Sequence, residues 1–282
     1  MASPPTEAKG AGIGGALPRF SWGTSLAVLV VLGLTGWSVY GTEFDLLKLL
    51  TGGGAIERFV SEMFPPDLSA GTLRSTTTGI LQTLQMSFLG AVIGAVVALP
   101  LAALGTRSPG NAGASRRERA LKAVPYHAAR FVLNIFRSVP DILWALIFVV
   151  ALGLGPFPGT LALAVHSAGV LGKLYSEALE AVPGRPSEAL TASGAGPLQT
   201  FLFARLPQAA AGFASLSLYQ WECNIRSATI LGFVGAGGIG QEILIAMNLF
   251  NYSKVATLVG ATVVVVLAVD RLSALIRARL IV

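Results

Sequence analysis

The sequence predicts an all-α integral membrane protein with six transmembrane helices and one amphipathic segment at the membrane surface. Of its 282 residues, 53% are hydrophobic and only 12% are charged, about half the charged fraction of an ordinary soluble domain. Several apolar runs reach the roughly 20 residues that span a bilayer as a helix. These runs lack the polar–apolar alternation of a transmembrane barrel, so helices, which satisfy their own backbone hydrogen bonds, are expected.

The apolar runs divide the chain into three parts. Residues 1–21 are rich in Pro, Gly and Ala, which predicts a disordered cytoplasmic tail. Residues 22–72 hold a first transmembrane helix at 22–40, which lacks a convincing signal-cleavage site. An extracytoplasmic segment follows whose mixed apolar and acidic residues favour helices lying on the membrane surface; a solvated loop is the alternative. The core, residues 73–282, carries five further helices, predicted at 75–105, 124–153, 159–181, 207–230 and 254–278.

Basic residues predict the orientation of this bundle. Lys and Arg are concentrated in the loops at 106–123 and 182–206 and at the C-terminal end, whereas residues 41–72 carry five carboxylates against two basic side chains. Because cytoplasmic loops carry an excess of Lys and Arg, six helices with both termini in the cytoplasm put every basic loop on one side. The net charge of +6 is then explained by topology, and we predict no nucleic-acid partner.

The residue inventory argues against an enzyme. A single cysteine, Cys223, excludes an internal disulfide, and no cysteine pair or histidine cluster indicates a metal site. The sequence has no G-x-x-x-x-G-K-[ST], so ATP is not expected to bind through a P-loop. We therefore predict no catalytic residue, no metal and no cofactor in this chain. A membrane enzyme would need a convergent nucleophile, base or metal site, and the sequence suggests none.

The loop between the fourth and fifth predicted helices carries the clearest motif, in which Glu188-Ala189 is followed by Gly194 and then by Leu206-Pro207. It resembles the EAA loop of ABC-importer permeases, whose pattern is Glu-Ala-Ala, three residues, Gly, nine residues and Ile-x-Leu-Pro. Two positions, Leu190 and Ala204, depart from the pattern conservatively. The matching residues, at the family's spacing, are Glu188, Ala189, Gly194, Leu206 and Pro207. The resemblance implies that residues 182–206 form a coupling loop whose short helix fits a cleft in an ATPase subunit; an ordinary amphipathic connector is the alternative.

Local chemistry agrees with a short helix in this loop. Ser187 is expected to cap it, with Glu188 in its positively charged first turn. Gly194 is expected to let the chain turn after it. Pro207 suits the first turn of the next membrane helix.

Three longer stretches narrow the resemblance. RSVPDILWAL at 137–146, HSAGVLGKLY at 166–175 and WECNIRSATILGFVGAGGIG at 221–240 resemble the phosphonate ABC-transporter permease family, over roughly residues 75–280. The resemblance implies a permease subunit in the inner or plasma membrane of a prokaryote, forming the path for phosphonate or a related oxyanion such as phosphate or phosphite. It implies a second copy of the chain, two ATPase subunits that hold ATP and Mg, an extracytoplasmic binding protein and membrane lipid as partners. An importer for another solute, or a secondary transporter or channel, is the alternative.

Ionisable residues inside membrane helices are costly and suggest function. Three cations, Arg137, Lys173 and Arg226, each have a carboxylate four residues away on the same helix face; these carboxylates are Asp141, Glu177 and Glu222. Each pair is predicted either to neutralise itself or to leave its cation on the path of an anion, which a guanidinium binds well. The candidate path residues are Arg226, Arg137, His166, Lys173, Asn224 and Ser227.

A glycine-rich segment follows the fifth predicted helix, 207–230. Gly235, Gly237, Gly238 and Gly240 fit G-x-G-x-x-G, but a dinucleotide site needs a strand before the motif and a helix after it in a βαβ unit. Irregular backbone at membrane depth is tolerated where it lines a cavity. We therefore predict that this segment is a gate at the outer mouth of the path; a flexible loop is the alternative.

Overall fold

Every regular element is helical in residues 22–51, 53–106 and 116–280, which the computed structural model describes. The tail predicted at 1–21 and the middle of the predicted 106–123 loop lie outside these ranges. A π-helical turn covers Phe201–Arg205 and a 3-10 turn covers Gly232–Val234. The helices are α1 (Trp22–Gly41), α2 (Leu46–Thr51), α3 (Gly53–Glu62), α4 (Ala70–Leu104), α5 (Arg116–Ser138), α6 (Asp141–Leu152), α7 (Pro156–Ala181), α8 (Gly184–Ala192), α9 (Pro197–Thr200), α10 (Leu206–Leu231), α11 (Gly238–Asn248) and α12 (Tyr252–Leu280).

The N-terminal unit extends to Arg58. Its helix α1 has 20 residues, none of them buried, and it is long and apolar enough to cross a membrane. The segment after α1 is helical, in two short pieces. Asp45 starts the first piece, since its Oδ1 accepts from the backbone N–H groups of Leu47 and Lys48 at 2.9 and 3.2 Å.

Two long helices, α4 and α7, form the centre of the second unit. Of the 26 residues of α7, 14 are buried. Small residues let the two backbones approach: a Cβ on Gly94 of α4 would lie 2.6 Å from the Cβ of Ser167, and one on Gly90 would lie 2.7 Å from the Cβ of Leu163. Glycine at a helix crossing is the usual means of close packing in membrane bundles.

One predicted helix, 124–153, is wrong as a single element. The structure divides it into α5 and α6, whose axes differ by 88°. The break falls at Pro140, which has φ −54° and ψ 143°. Proline has no N–H to continue the helix and disfavours helical backbone at the preceding residue.

A second difference follows α10. The prediction joined the fifth and sixth spans by a loop, but α10 continues through the glycine-rich turn into α11, bent by 42°. By length and composition, three described helices (α1, α4 and α12) qualify as membrane spans, or five if each bent pair counts as one. The remaining predicted span, α7, is also long enough, and its position inside the bundle allows small and polar side chains.

Asp67 fastens the start of α4 to α12. Its carboxylate accepts from the N–H of Ser69 at 2.9 Å, from the Ser69 hydroxyl at 3.2 Å and from the Thr72 hydroxyl. Its backbone N–H donates to Ser253 O at 3.1 Å, and its carbonyl accepts from Thr257 Oγ1 at 2.8 Å. One residue therefore holds the N-cap residue of α4, Ser69, and binds the first turns of α12.

We expect this fastening to be lost in acid. The hydrogen bond from the Thr72 hydroxyl, followed by those from Ser69, lowers the pKa of Asp67 below its ordinary value of 3.8. A lowered folded-state pKa means that the stabilisation is complete above the ordinary value and disappears as the pH falls through the lower one. Amide exchange in the first turn of α4, corrected for intrinsic rates, should therefore accelerate in that acid window.

In Asp67→Asn protein the same amides should exchange fast already at neutral pH, with no acid transition. Asp45→Asn is the matched control, because that carboxylate caps α2 and should leave α4 unaffected. An unchanged acid transition in Asp67→Asn would show that another group is responsible.

Candidate functional site

The predicted coupling loop is almost continuously helical. Helix α8 carries Glu188 and Ala189 on its exposed side, and α9 leads through the π-helical turn directly into α10. Pro207 lies in the first turn of α10, as the sequence predicts. The loop is therefore an ordered, mostly helical segment.

Gly194 makes the turn that ends α8. It has φ +90°, a left-handed conformation that side chains other than glycine rarely adopt. Its N–H donates to Thr191 O, and the N–H of Ala195 donates to Leu190 O, both at 3.0 Å. This pair of bonds is a Schellman motif, which satisfies the last carbonyls of a helix. The turn expected at Gly194 is present.

The expected cap at Ser187 is absent. Helix α8 begins three residues earlier, at Gly184, so Ser187 lies inside the helix and is buried. Pro186 provides the physical reason, since proline suits the first turn of a helix. Glu188 therefore lies beyond the first turn, with its Oε1 3.2 Å from the place a Cβ on Gly184 would occupy.

The loop is anchored on its inner side and apolar on its outer side. Val182 and Phe201 pack with Leu179 and other buried residues of α4, α7 and α10. On the outside, Leu198 is 69% exposed and Phe203 is 72% exposed. A rigid element with exposed large apolar side chains is typical of a protein contact surface.

A buried polar network joins α4, α7 and α10. Asn224, 2% exposed, donates from Nδ2 to Ser167 Oγ at 2.9 Å and to Ser87 O at 3.4 Å. Its Oδ1 accepts from Gln220 Nε2 at 3.0 Å. Asn224, predicted as a path residue, thus has its amide fully occupied between helices. Gln220, four residues earlier in the same apolar helix, belongs to this network too, but the sequence analysis did not single it out.

Glu222 does not form the ion pair with Arg226 of the same helix that the sequence offered as one alternative. Its Oε1 lies 2.9 Å from Arg277 Nη2 on α12, with side chains 7% and 25% exposed. The contact is an ion pair without hydrogen-bond alignment, since Oε1 has no well-directed donor. Arg226, four residues after Glu222, is exposed and forms no ion pair within the described ranges. Ser227 beside it is half-buried.

The pair expected between Arg137 and Asp141 is also not formed, because the bend at Pro140 puts these residues on different helices. The exposed Arg137 donates from Nε to Asn134 Oδ1 at 3.1 Å, and Asp141 accepts from the next backbone N–H, that of Ile142, at 2.9 Å.

On α7 the expected geometry is present. Lys173 Nζ lies 3.6 Å from Glu177 Oε1, and both side chains are substantially exposed. His166, half-buried, contacts the carbonyl of Val139 through Nδ1 at 3.3 Å. His166 thus lies against the break between α5 and α6.

The glycine-rich segment is a tight turn inside the bundle. Gly235, Gly237 and Gly238 have φ of +85°, +81° and +74°. The N–H groups that open α11 are held by α4: Gly238 N donates to Gln82 Oε1 at 3.2 Å, and Ile239 N donates to Thr83 Oγ1 at 2.9 Å. The last residue, Gly240, is buried.

This position lies inside the bundle, away from the ends of α4. Thr83 lies about 20 Å along α4 from its start, at the usual rise per residue, and α11 extends about 15 Å beyond the turn. The turn also contacts the connection between α6 and α7, where Gly155 N donates to Gly235 O at 2.9 Å. The segment is thus a fixed internal junction and not a flexible loop at one end.

Over the described ranges, no group of three His, Cys, Asp or Glu side chains is placed to hold a metal ion. What the arrangement provides is a structured loop with an exposed apolar surface, and exposed cations on three helices.

Comparison with known proteins places these features in context. The family described as binding-protein-dependent transport system inner membrane component matches residues 112–282. The phosphite transport system permease protein PtxC of Stutzerimonas stutzeri is 38% identical over 83% of this chain and 80% of its own length. The phosphate-import permease protein PhnE of Mycolicibacterium smegmatis is 34% identical over 85% of this chain and 43% of its own length.

A solved structure agrees in fold. A chain of the MetNI methionine ABC transporter, in an inward-facing conformation, superposes with a TM-score of 0.65 at 25% identity. The match covers 76% of this chain and 99% of that one.

Proposed function

Since this chain belongs to the family of binding-protein-dependent transport system inner membrane components, we propose that it forms the translocation path of an ATP-driven importer for phosphonate or a related phosphorus oxyanion, such as phosphite or phosphate. The observation that carries the proposal is the structured loop from Glu188 to Pro207. ATP and Mg would be held by a separate ATPase chain, and an extracytoplasmic binding protein would deliver the substrate.

The coupling role of the loop is supported by its shape. Helix α8 is held on both sides, by the packed end of α7 and by the π-helical turn into α10. Its outer surface carries Glu188, Ala189 and, nearby, the exposed Leu198 and Phe203. A helix held in this way moves as a rigid body, so a displacement of α8 by the ATPase would be passed on to α7 and α10. The basic loops favour a cytoplasmic position for it, with both chain termini on that side.

The substrate proposal rests on the relatives and on two exposed cations. The relatives named above transport phosphite and phosphate. Arg137 and Arg226 are exposed on helices of the second unit, and placing a guanidinium against lipid is costly in free energy. These side chains therefore belong against water or another protein copy, which supports a path between two copies of the chain. Ser227, His166 and Lys173 remain candidates beside them, whereas Asn224 serves packing.

The glycine-rich junction lies inside the bundle, and we propose that it acts there as the gate of the path. It connects α10, which begins at the coupling loop, to α11, and it contacts the α6–α7 connection. Movement of α10 would therefore reach this junction directly.

Purification tests the class of transporter. The tagged chain, isolated with the products of its neighbouring genes, should retain an ATPase whose hydrolysis is stimulated by the cognate binding protein. If the purified chain transports without any ATPase, it is a secondary transporter and the proposal is overturned. A ligand screen of the binding protein by calorimetry, with phosphite, phosphate, a phosphonate and methionine, distinguishes an oxyanion importer from one for another small solute.

Arg226→Ala is expected to reduce uptake of the oxyanion strongly while leaving assembly intact. The side chain makes no ion pair within the described ranges, so its removal leaves no buried partner uncompensated. Arg226→Lys should keep part of the activity, because a lysine retains the charge but not the bidentate fork. Uptake and the yield of ATPase-bound complex are measured together; wild-type uptake by well-assembled Arg226→Ala would remove Arg226 from the path.

A further inference from the structure

Arg130, in the middle of α5, joins that helix to the C-terminal ends of α4 and α7 next to the coupling loop. From α5, its Nε donates to Gly105 O at the C-terminus of α4, at 2.8 Å. Its Nη2 lies 2.9 Å from Glu180 Oε1 in the last turn of α7. The guanidinium also lies over the ring of Tyr126, with Cζ 5.4 Å from the ring centroid. The side chains of Arg130 and Glu180 are 27% and 32% exposed, so solvent reaches part of this contact.

The chemistry of each contact suits an arginine. The last carbonyls of a helix have no partner within it and carry the negative end of its dipole, and Gly105 O is such a group. A guanidinium donates from separate nitrogens in one rigid plane, which lets Arg130 bind α4 and α7 at the same time. The Tyr126 ring restrains the plane from one side.

The contact with Glu180 bears on α8 because the connection is short. Only Val182 and Pro183 separate α7 from α8. Val182 is half-buried against Leu179, and Pro183 is extended, with φ −53° and ψ 132°. Displacement of α8 therefore pulls directly on the turn of α7 that Arg130 holds.

We propose that Arg130 is a positioning residue for transport, which braces the base of α8 to the C-terminal end of α4 and to the middle of α5. With the brace, a push on α8 moves α4, α5 and α7 together. Without it, the end of α7 keeps its apolar packing against α4 and the hydrogen bond from Ser176 to Ala102 O, but it loses the polar link through Arg130 to α5 and Gly105 O, so less of the movement reaches α4. The inference rests on the proposed coupling role of α8. It adds the route by which movement of α8 reaches α4 and α5.

Arg130→Lys is the test variant, since a lysine keeps the charge but cannot donate to Gly105 O and Glu180 from two nitrogens. The full complex with its ATPase and binding protein is reconstituted, and the amount of inorganic phosphite imported per ATP hydrolysed is measured. We expect normal assembly and ATP hydrolysis, with the import ratio lowered about fivefold, the lower end of ordinary coupling between sites. Glu180→Gln, a milder change, should lower the ratio less.

A distance measurement separates a positioning role from a merely structural one. Spin labels at the exposed Leu104 and Ala192, in a Cys223→Ala background, should give a narrow distribution in the parent and a broad one in Arg130→Lys. Arg271→Lys, at an exposed position on α12, is the control and should leave both the ratio and the distribution unchanged.

The double variant Arg130→Glu with Glu180→Arg restores the ion pair but not the bond to Gly105 O. We expect it to assemble and remain uncoupled; full recovery of coupling would overturn the brace to α4. Gly194→Val, which disrupts α8 itself, is run in parallel. If Gly194→Val uncouples transport while Arg130→Lys does not, the role of Arg130 is overturned. If neither uncouples, the proposed role of α8 fails.

Discussion

Gly194→Val is expected to reduce uptake by roughly two orders of magnitude while the protein still accumulates in the membrane. A β-branched residue is a strong outlier at a φ of +90°, and such backbone strain costs about 3 kcal/mol at its upper range, or a hundredfold in population. No heavy atom lies within 4 Å of the added Cβ, so the effect is on the conformation of the turn and not on packing. Uptake and ATPase co-purification are measured on the same membranes.

The chain supplies a matched control for this change. Gly212, in α10, also has open space around its Cβ, but its backbone φ is negative. Gly212→Val should therefore leave uptake near that of the parent. Gly194→Asn should retain more uptake than Gly194→Val, because asparagine tolerates the left-handed region. Equal uptake in all three variants would show that the turn at Gly194 does not matter for transport.

Gly240→Ala is expected to prevent the core from folding. An added Cβ would overlap the carbonyl of Thr229, and one on Gly232 would overlap the backbone of Gly240 and Gln241. The end of α10 and the start of α11 are thus in backbone contact, where no side chain can move aside. Overpacking of this kind costs about 3 kcal/mol or more, a large part of the stability of an ordinary domain.

The measurement is the yield and melting temperature of detergent-solubilised protein. Gly260→Ala is the control, since Gly260 lies in α12 with nothing within 4 Å of its Cβ, and alanine favours a helix. It should melt at or slightly above the parent temperature. A parental yield and melting temperature for Gly240→Ala would mean that the α10–α11 junction is not closely packed in the membrane.

Local signals in the sequence predicted local structure well. Pro207 begins α10 and Gly194 ends α8, because each acts through its own backbone. The bend at Pro140 had a signal too, but the apolar run on either side of it outweighed the proline. Helix α11 was missed because Gly238 and Gly240 lie in its first turn, and glycines predict a loop. Instead, the first N–H groups of α11 donate hydrogen bonds to Gln82 and Thr83 of α4, which hold this segment in a helix.

Non-local pairing could not be predicted in this way. The sequence offered Arg226 as the partner of Glu222, but the structure pairs Glu222 with Arg277, and the spacing of charges along one helix carries no information about another helix. Asn224 illustrates the same point. A polar residue in an apolar helix suggests a path, whereas contact with Ser167, on α7, makes it part of the core. Arg130 was overlooked because its partners, Gly105 and Glu180, are far away in the chain.

The pairing of Glu222 with Arg277 also has a consequence for biosynthesis. Arg277 is made after α11 and nearly all of α12, so the carboxylate of Glu222 enters the bilayer before its final partner exists. At that stage Arg226, one turn further along α10, is the nearest cation of the same helix. We therefore expect Glu222 to insert with Arg226 as a temporary counter-ion and to change partners when α12 arrives. The last helix would then complete the bundle and, in the same step, release Arg226 from Glu222.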